Sequence, residues 1–263
     1  MIFEDQIVEL YKSGNSAYEI LPLTNYKSVH SIYNIIRKHG YTIRSKAGNK
    51  NPNLKHNYFN NINSELKAYF LGILYADGTI EIREKSQPQL RIELKRADKY
   101  ILEKFKVELN SDNKISDTKK NCCRFGVHSA QLIDDLSKFK IVPNKSHISD
   151  SLVILEEPYM SHFIRGVFDG DGWVYKREYS LTIGFCGNII AMENIEEYLR
   201  YKLNLTKVKV GCYGDKVPFF THSSKISAKK IYNYLYNDAT IYLKRKKIIF
   251  DTVYANTEVT NNK

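Results

Sequence analysis

The stretches FLGILYADG, at residues 70–78, and IRGVFDGDG, at residues 164–172, decide the fold of this chain. In both, a largely apolar run has glycine in third place and ends on an Asp-Gly pair. An apolar run that ends on a turn pair predicts a buried helix followed by a strand. The chain therefore contains one structural element twice, which indicates an internal repeat.

A second pair of similar segments supports this repeat. FGVHS follows the first motif and FFTHS follows the second. The step from Asp77 to His128 is 128 − 77 = 51 residues, and the step from Asp171 to His222 is 222 − 171 = 51 residues. A spacing kept over this length predicts two related units of about 95 residues each.

Hydrophobic periodicity and turn residues give each unit the element order αββαββα. The first unit is expected at residues 61–155 and the second at residues 156–256. Because the strands alternate apolar and polar residues, one sheet face should pack on helices while the other meets solvent. This order predicts an α+β fold of two pseudo-symmetric units with saddle-like antiparallel sheets. The predicted helices cover 63–76, 98–109, 159–170 and 189–203, with one more after Ser129 and one after Ser223; the predicted strands cover 79–85, 90–95, 113–118, 122–128, 173–177, 180–186, 207–212 and 217–222.

The aspartate that ends each motif helix has an unfavourable position. Asp77 and Asp171 lie at the negative end of a helix dipole, which destabilises a carboxylate by about 0.3–1 kcal/mol. Small residues four apart on each helix would let the two helices approach closely and bring these carboxylates side by side. Neighbouring carboxylates resist joint ionisation, a conflict that Mg²⁺ or another divalent cation such as Mn²⁺ resolves. A single Asp-Gly pair, in contrast, is usually only a turn. The small residues are Gly72, Ala76, Gly166 and Gly170.

Over about residues 60–250 the sequence resembles the LAGLIDADG homing endonucleases, in their single-chain form with two motifs. In that family the motif helices form the interface between the units, and the last aspartate of each motif binds metal. The resemblance therefore implies that Asp77 and Asp171 are catalytic metal ligands, with Gly78 and Gly172 beside them at the metal site. It implies metal-dependent hydrolysis of double-stranded DNA at a long asymmetric site, each aspartate serving one strand.

The family also has a basic residue near each active site, late in each unit. The matching segments are IVPNKSH, which contains Lys145, and YLKRKKI, which contains Lys246. The alternative for both lysines is phosphate binding without catalysis. Two positions depart from the family pattern: Tyr75 stands where many members carry an acid, and Arg165 replaces a small residue.

The polar faces of the predicted sheets are candidates for contacting DNA, although a merely solvated face would look the same. The candidates are Arg83, Lys85, Arg91, Glu93, Lys95 and Arg124 in the first unit, and Tyr175, Arg177, Ser180, Thr182, Lys207 and Lys209 in the second.

Residues 1–45 are predicted to form a separate, all-helical domain. Between Glu19 and Glu65 the chain has no acidic residue but seven basic ones. Periodicity predicts three short helices that resemble the helix-turn-helix of resolvase-like proteins, with the third entering the major groove of DNA. An ordinary three-helix cap is the alternative. Residues 46–60 are expected to form a basic linker and residues 257–263 a tail. The predicted DNA-contacting residues of the third helix are Lys27, Ser28, His30, Ser31, Asn34 and Arg37.

Composition agrees with a polyanionic partner. The 263 residues include 40 Lys and Arg against 29 Asp and Glu, a formal net charge of +11. No apolar run approaches the roughly 20 residues that span a bilayer, and the N-terminus does not resemble a signal peptide. The four cysteines form no C-x-x-C pair, which favours a reducing, intracellular and cytoplasmic setting. We expect a monomer that binds double-stranded DNA and no membrane.

Two other functions share this scaffold. One is an RNA maturase that assists intron splicing, since a basic sheet face would serve RNA as well as DNA. The other is a non-catalytic DNA-binding transcription regulator; such relatives tend to lose the motif acids, whereas both are present in this chain.

Overall fold

The computed structural model describes residues 2–13, 15–41, 51, 53–83, 86–118, 121–143, 152–177, 180–212 and 217–260. Lys85, Lys145 and the side chain of Arg83 lie outside this description, as do residues 46–50 and 52 of the predicted linker. The helices are α1 Glu4–Lys12, α2 Ala17–Ile20, α3 Val29–Lys38, α4 Glu65–Asp77, α5 Lys99–Glu108, α6 Ala130–Ser137, α7 Tyr159–Asp171, α8 Ile189–Leu203, α9 Lys225–Tyr236 and α10 Lys244–Thr260. The strands are β1 Gly78–Arg83, β2 Ser86–Lys95, β3 Ser116–Thr118, β4 Cys122–His128, β5 Trp173–Lys176, β6 Leu181–Cys186 and β7 Phe219–His222.

The α+β fold predicted from the repeat is confirmed. The first sheet has the order β1-β2-β4-β3 and the second the order β5-β6-β7, and all pairs are antiparallel. The apolar residues of the strands alternate toward the helices and form, with α4 and α7, one core shared by both units. At about 25 cal/mol per Å² of apolar surface, burial of this shared core is the main stabilising contribution.

The second unit departs from the predicted order in its last hairpin. A strand was expected at residues 207–212, but in the described part of this segment only Gly211 pairs, by a single bridge to Phe219. Lys207 and Lys209 are exposed and line a groove beside α8, where Glu193 and Glu197 also lie. The alternation of lysine and valine was therefore insufficient to predict a strand, because a strand also needs a partner edge.

The chain directly before the first unit belongs to the main body. Leu54, Tyr58 and Phe59 are at most 5% exposed and lie in the shared core. The side chain of Asn51 donates a hydrogen bond of 2.7 Å to Ser111. The C-terminal part of the predicted linker is thus packed, and its apolar residues were the sequence feature that indicated this.

The N-terminal helices α1, α2 and α3 have their own small core. Ser16 caps α2 and Ser28 caps α3, as their hydroxyl oxygens accept backbone N–H groups of the first turn. Ile32 and Ile36 are buried on the predicted apolar face of α3, and Ile35 is buried beside them.

Candidate active site

The two motif helices, α4 and α7, pack against each other at their glycines. A Cβ atom added to Gly166 would lie 2.9 Å from Gly72 Cα and would overlap the carbonyl oxygen of Tyr69. A Cβ atom added to Gly72 would overlap the carbonyl oxygen of Phe163. Backbone therefore touches backbone across this interface. Helices with larger side chains at the contact cannot approach so closely and usually pack with their axes about 8–10 Å apart.

This contact carries the two motif aspartates into one neighbourhood. Asp77 and Asp171 are the last residues of α4 and α7, and both are half-buried. A Cβ atom added to Gly170 would lie 3.1 Å from Oδ2 of Asp77, so this carboxylate reaches the residue directly before Asp171. The negative charges of both aspartates act on the ammonium group of Lys246.

The donor set at this place suits a hard divalent cation. Two half-buried carboxylates fit Mg²⁺, which proteins usually bind through one or two carboxylates while it keeps several waters. Among the residues that the structure describes, no group of three or more His, Cys, Asp and Glu side chains could hold a metal ion. Of the two glycines predicted beside the metal, Gly78 begins β1, whereas the carbonyl oxygen of Gly172 accepts a hydrogen bond from Lys246.

Lys246 is buried at the C-terminal end of α7. Its Nζ donates to the carbonyl oxygens of Phe168 (2.5 Å), Asp169 (2.7 Å) and Gly172 (2.5 Å). Burial lowers the pKa of Lys246 to about 8, although the charge of Asp169 opposes this shift. Three protons meet three acceptors, so the ammonium group neutralises the negative helix end and holds the main chain on both sides of Asp171. The sequence suggested a catalytic lysine at this position, and the structure shows its side chain as a helix cap.

Two charged side chains of the second motif form a buried polar group between the units. Asp169 accepts hydrogen bonds from Tyr69 Oη (2.8 Å) and Leu243 N (2.7 Å), and burial raises the pKa of Asp169. Arg165 has no exposed surface and donates to Oε1 of Glu65 at 2.6 Å. These bonds join α7 to α4 and to the segment before α10. The sequence marked Arg165 as a departure from the family pattern and Asp169 as the acid that the pattern keeps. It did not predict their partners, which are about 70 to 100 residues distant in the chain.

The outer face of the first sheet is charged and internally paired. Arg91, Glu93, Lys95 and Arg124 lie on the side that faces away from the helices. Arg91 forms an ion pair with Glu81, and the guanidinium of Arg124 donates to the carboxylate of Glu93 at 2.6 and 2.8 Å. The described side chains of this face are therefore nearly balanced in charge, whereas alternation suggested a mostly basic face. Alternation did not reveal the ion pairs, because which residues are neighbours across strands depends on the register.

The outer face of the second sheet is uncharged along its three strands. The ring of Trp173 lies across Gly184, where a Cβ atom would overlap it, and its centroid is 5.9 Å from that of Phe219. Thr182 is only 4% exposed, and its hydroxyl group donates to Ser223. Tyr175 is 39% exposed. Of the other predicted contacts, Ser180 is half-buried and Arg177 is exposed, with its guanidinium 5.3 Å from the centroid of the Tyr175 ring.

Most of the residues predicted to contact DNA at α3 are exposed, and two of them also take part in local hydrogen bonds. The exposed residues are Lys27, Ser28, His30, Asn34 and Arg37, and Ser31 is half-buried. Ser28 is the N-cap, and Asn34 accepts a hydrogen bond of 3.4 Å from Arg37. The side opposite the small core thus presents polar and basic groups.

The C-terminal helix adds contacts between units that the sequence did not suggest. Arg245, at the start of α10, donates to the buried carboxylate of Asp98 at 2.8 Å. Tyr100 Oη donates to the carbonyl oxygen of Tyr242 at 2.8 Å.

In the described part of the chain, no helix has the length and apolar character required to cross a bilayer.

Solved structures with a similar fold are LAGLIDADG enzymes. I-GzeII, a LAGLIDADG homing endonuclease in complex with a DNA target, has 15% identity and a TM-score of 0.54, covering 77% of this chain and 92% of its own. The LAGLIDADG meganuclease I-AabMI, bound to uncleaved DNA, has 15% identity and a TM-score of 0.53, covering 74% and 91%. I-SmaMI, bound to an uncleaved DNA target in the presence of calcium ions, has 13% identity and a TM-score of 0.54, covering 76% and 93%. No family model and no curated protein matches the sequence. At these identities the likeness shows the fold, and it confirms the fold that the two motifs implied.

Proposed function

We propose that this chain, which has the fold of the LAGLIDADG homing endonucleases, is a site-specific endonuclease that hydrolyses double-stranded DNA with a divalent cation. The observation that carries the proposal is the convergence of Asp77 and Asp171 at the end of the contact between Gly72 and Gly166. A DNA substrate is supported by the net charge of +11 and by the DNA bound to I-GzeII, I-AabMI and I-SmaMI.

Each residue of the site has a separate task in this proposal. Asp77 and Asp171 would hold Mg²⁺ or Mn²⁺, each aspartate serving one strand. The chemistry that a bound cation supplies is Lewis-acid activation of water and of the phosphoryl group. Lys246 is a positioning residue, since its three donors hold the main chain around Asp171. Lys145 remains the proposed basic residue of the first unit, by resemblance.

The proposed functional form is a monomer. Both aspartates and both sheets come from one chain, and the buried pair of Arg165 and Glu65 joins its two units. A second copy is therefore not needed to complete the site.

Residues 2–41 are proposed to bind DNA outside the cleavage site, through the exposed side of α3. Deleting residues 1–41 should weaken DNA binding and reduce its salt dependence, because fewer phosphates are neutralised. The deletion stops there since Asn51 and Leu54 belong to the main body. Unchanged affinity and salt dependence would exclude a DNA-binding role for this segment.

The central test is cleavage of duplex DNA that spans the insertion site of the gene itself, with and without Mg²⁺. Asp171→Asn and Asp77→Asn should each abolish double-strand cleavage while DNA binding persists. Asp112→Asn, an equal change of charge at an exposed site, is the control. Binding without cleavage in the parent protein would instead indicate a regulator, and RNA-dependent splicing activity a maturase.

A further inference from the structure

The outer faces of the two sheets differ in chemistry although they come from one repeat. On the first sheet, Arg91 pairs with Glu81 and Arg124 pairs with Glu93. On the second, the residues at outward positions are uncharged in all three strands: Trp173, Tyr175, Thr182, Gly184, Cys186, Phe219 and Thr221. Each face begins two residues after a motif aspartate, at Thr79 and at Trp173, so both extend outward from the proposed cleavage centre.

An arginine paired with a glutamate matches the major-groove edge of a G·C base pair. Guanine presents two acceptors, N7 and O6, which suit the guanidinium fork, and cytosine presents the N4 amino donor, which suits a carboxylate. In the pair of Arg124 and Glu93 the two groups are already 2.6 Å apart, and both are partly exposed, at 44% and 32%. Because each partner fixes the other, less side-chain entropy remains to be lost on binding a base.

The second face offers apolar contacts in place of this pattern. Trp173 and Phe219 lie with ring centroids 5.9 Å apart, and Gly184 leaves the space that the indole ring fills. Thymine is the base with an apolar group in the major groove, the C5 methyl, which apolar side-chain groups such as the phenylalanine ring and the threonine methyl contact. Two exposed cations lie at the end of β5: Lys176, which alternates to the opposite side from Tyr175, and Arg177, which follows the strand. They stand at the rim, where phosphate contacts position a duplex without reading its sequence.

We infer that the DNA target has two chemically different halves. The half under the first unit contains G·C pairs read by the arginine–glutamate pairs, and the half under the second unit contains thymines read by Trp173, Tyr175 and Phe219. This inference rests on the proposed function, because it requires the sheets to lie in the grooves of a duplex. It goes further in naming the bases that each unit selects.

The test is a binding selection with the full chain on duplexes randomised over about 20 base pairs, two helical turns, in Ca²⁺. The Glu93→Gln/Arg124→Gln double variant removes one proposed reader without changing net charge. Trp173→Ser alters the other face. Because the Trp173 ring also fills space over Gly184, Tyr175→Ser is added as a second variant of that face. The controls are Lys99→Gln/Glu103→Gln, an exposed pair on α5, and Tyr201→Ser, an exposed ring on α8. Urea unfolding accompanies each variant.

The expected result is an enriched site with G·C pairs in one half and thymines in the other. The double variant should lose about 5- to 150-fold discrimination in the G·C half alone, from the worth of a bidentate contact. Tyr175→Ser and Trp173→Ser should relax only the thymine half, and the controls should change neither. An enriched site of like composition in both halves, or variants that relax both halves equally, would overturn the inference while leaving the endonuclease proposal standing. No enrichment of any duplex would overturn the endonuclease proposal itself.

Discussion

Replacing Gly166 by alanine perturbs the contact on which the proposed active site depends. The new methyl group would overlap the carbonyl oxygen of Tyr69 and lie 2.8 Å from Ile73 N and 2.9 Å from Gly72 Cα. All three are backbone atoms of α4, so no rotamer change relieves the overlap, and the helices must separate. Overpacking of this kind costs about 1–3 kcal/mol, and the rigid neighbours favour the upper value, about 3 kcal/mol.

Alanine also has the better helix propensity, by about 1 kcal/mol, which acts in the opposite direction. The clash exceeds this gain, so Gly166→Ala should lower the free energy of unfolding by about 2 kcal/mol. The same separation moves Asp171 away from Asp77, so double-strand cleavage should fall further than stability alone explains.

Urea unfolding and a cleavage assay on the same preparations measure the two effects. Gly211→Ala is the matched control, because in the described part of the chain a Cβ atom there has no heavy atom within 4 Å. A Gly166→Ala protein as stable and as active as its parent would refute the argument that backbone contact between α4 and α7 sets the distance between the aspartates.

Three more predictions concern titratable side chains in or beside the core. Lys246→Met should lower the free energy of unfolding by about 3 kcal/mol, as three carbonyl oxygens lose their donor; lost cleavage with unchanged urea unfolding would instead show direct action on the phosphate. Glu65→Gln should cost about 3 kcal/mol, measured the same way, because Arg165 keeps a buried charge without its carboxylate, and adding Arg165→Leu should recover part of that loss. Burial lowers the pKa of His222, whose Nε2 has no hydrogen-bond partner among the described residues. As pH falls, the unfolded chain therefore takes up a proton on His222 before the folded chain does. The stability that neutral His222 contributes is complete above pH ~6.5, and below it the free energy of unfolding falls by at most about 1.4 kcal/mol per pH unit. His222→Leu should flatten that slope in urea titrations between pH 7 and 5, and an unchanged slope would exclude His222 as its source.

Local patterns were enough to predict most helices and strands. The motif helices were expected at 63–76 and 159–170 and lie at Glu65–Asp77 and Tyr159–Asp171. The strand of Cys122–His128 has the predicted bounds. Alternation and helical period depend on neighbouring residues, so they can be read without knowledge of the fold. The fold class followed from their order.

What the sequence did not predict depends on residues far apart in the chain. The three carbonyl partners of Lys246 lie 74 to 78 residues before it. The pairing of Arg124 with Glu93 requires the register of β2 against β4. Residues 207–212 alternate like a strand but have only a single bridge within the described chain. In each case a local pattern is compatible with several tertiary surroundings, and packing selects one.

The buried bond between Arg165 and Glu65 also limits how the two halves of the chain can assemble. The repeat interval is 171 − 77 = 94 residues, so Leu71 stands in the first unit where Arg165 stands in the second, and Tyr159 stands opposite Glu65. Two copies of the second half, joined by the same helix contact, would bury two guanidinium groups without the glutamate that accepts a hydrogen bond from Arg165, at several kcal/mol each. A chain with two unlike halves is thereby favoured over an assembly of two like ones, so the two surfaces that such a chain presents need not be identical.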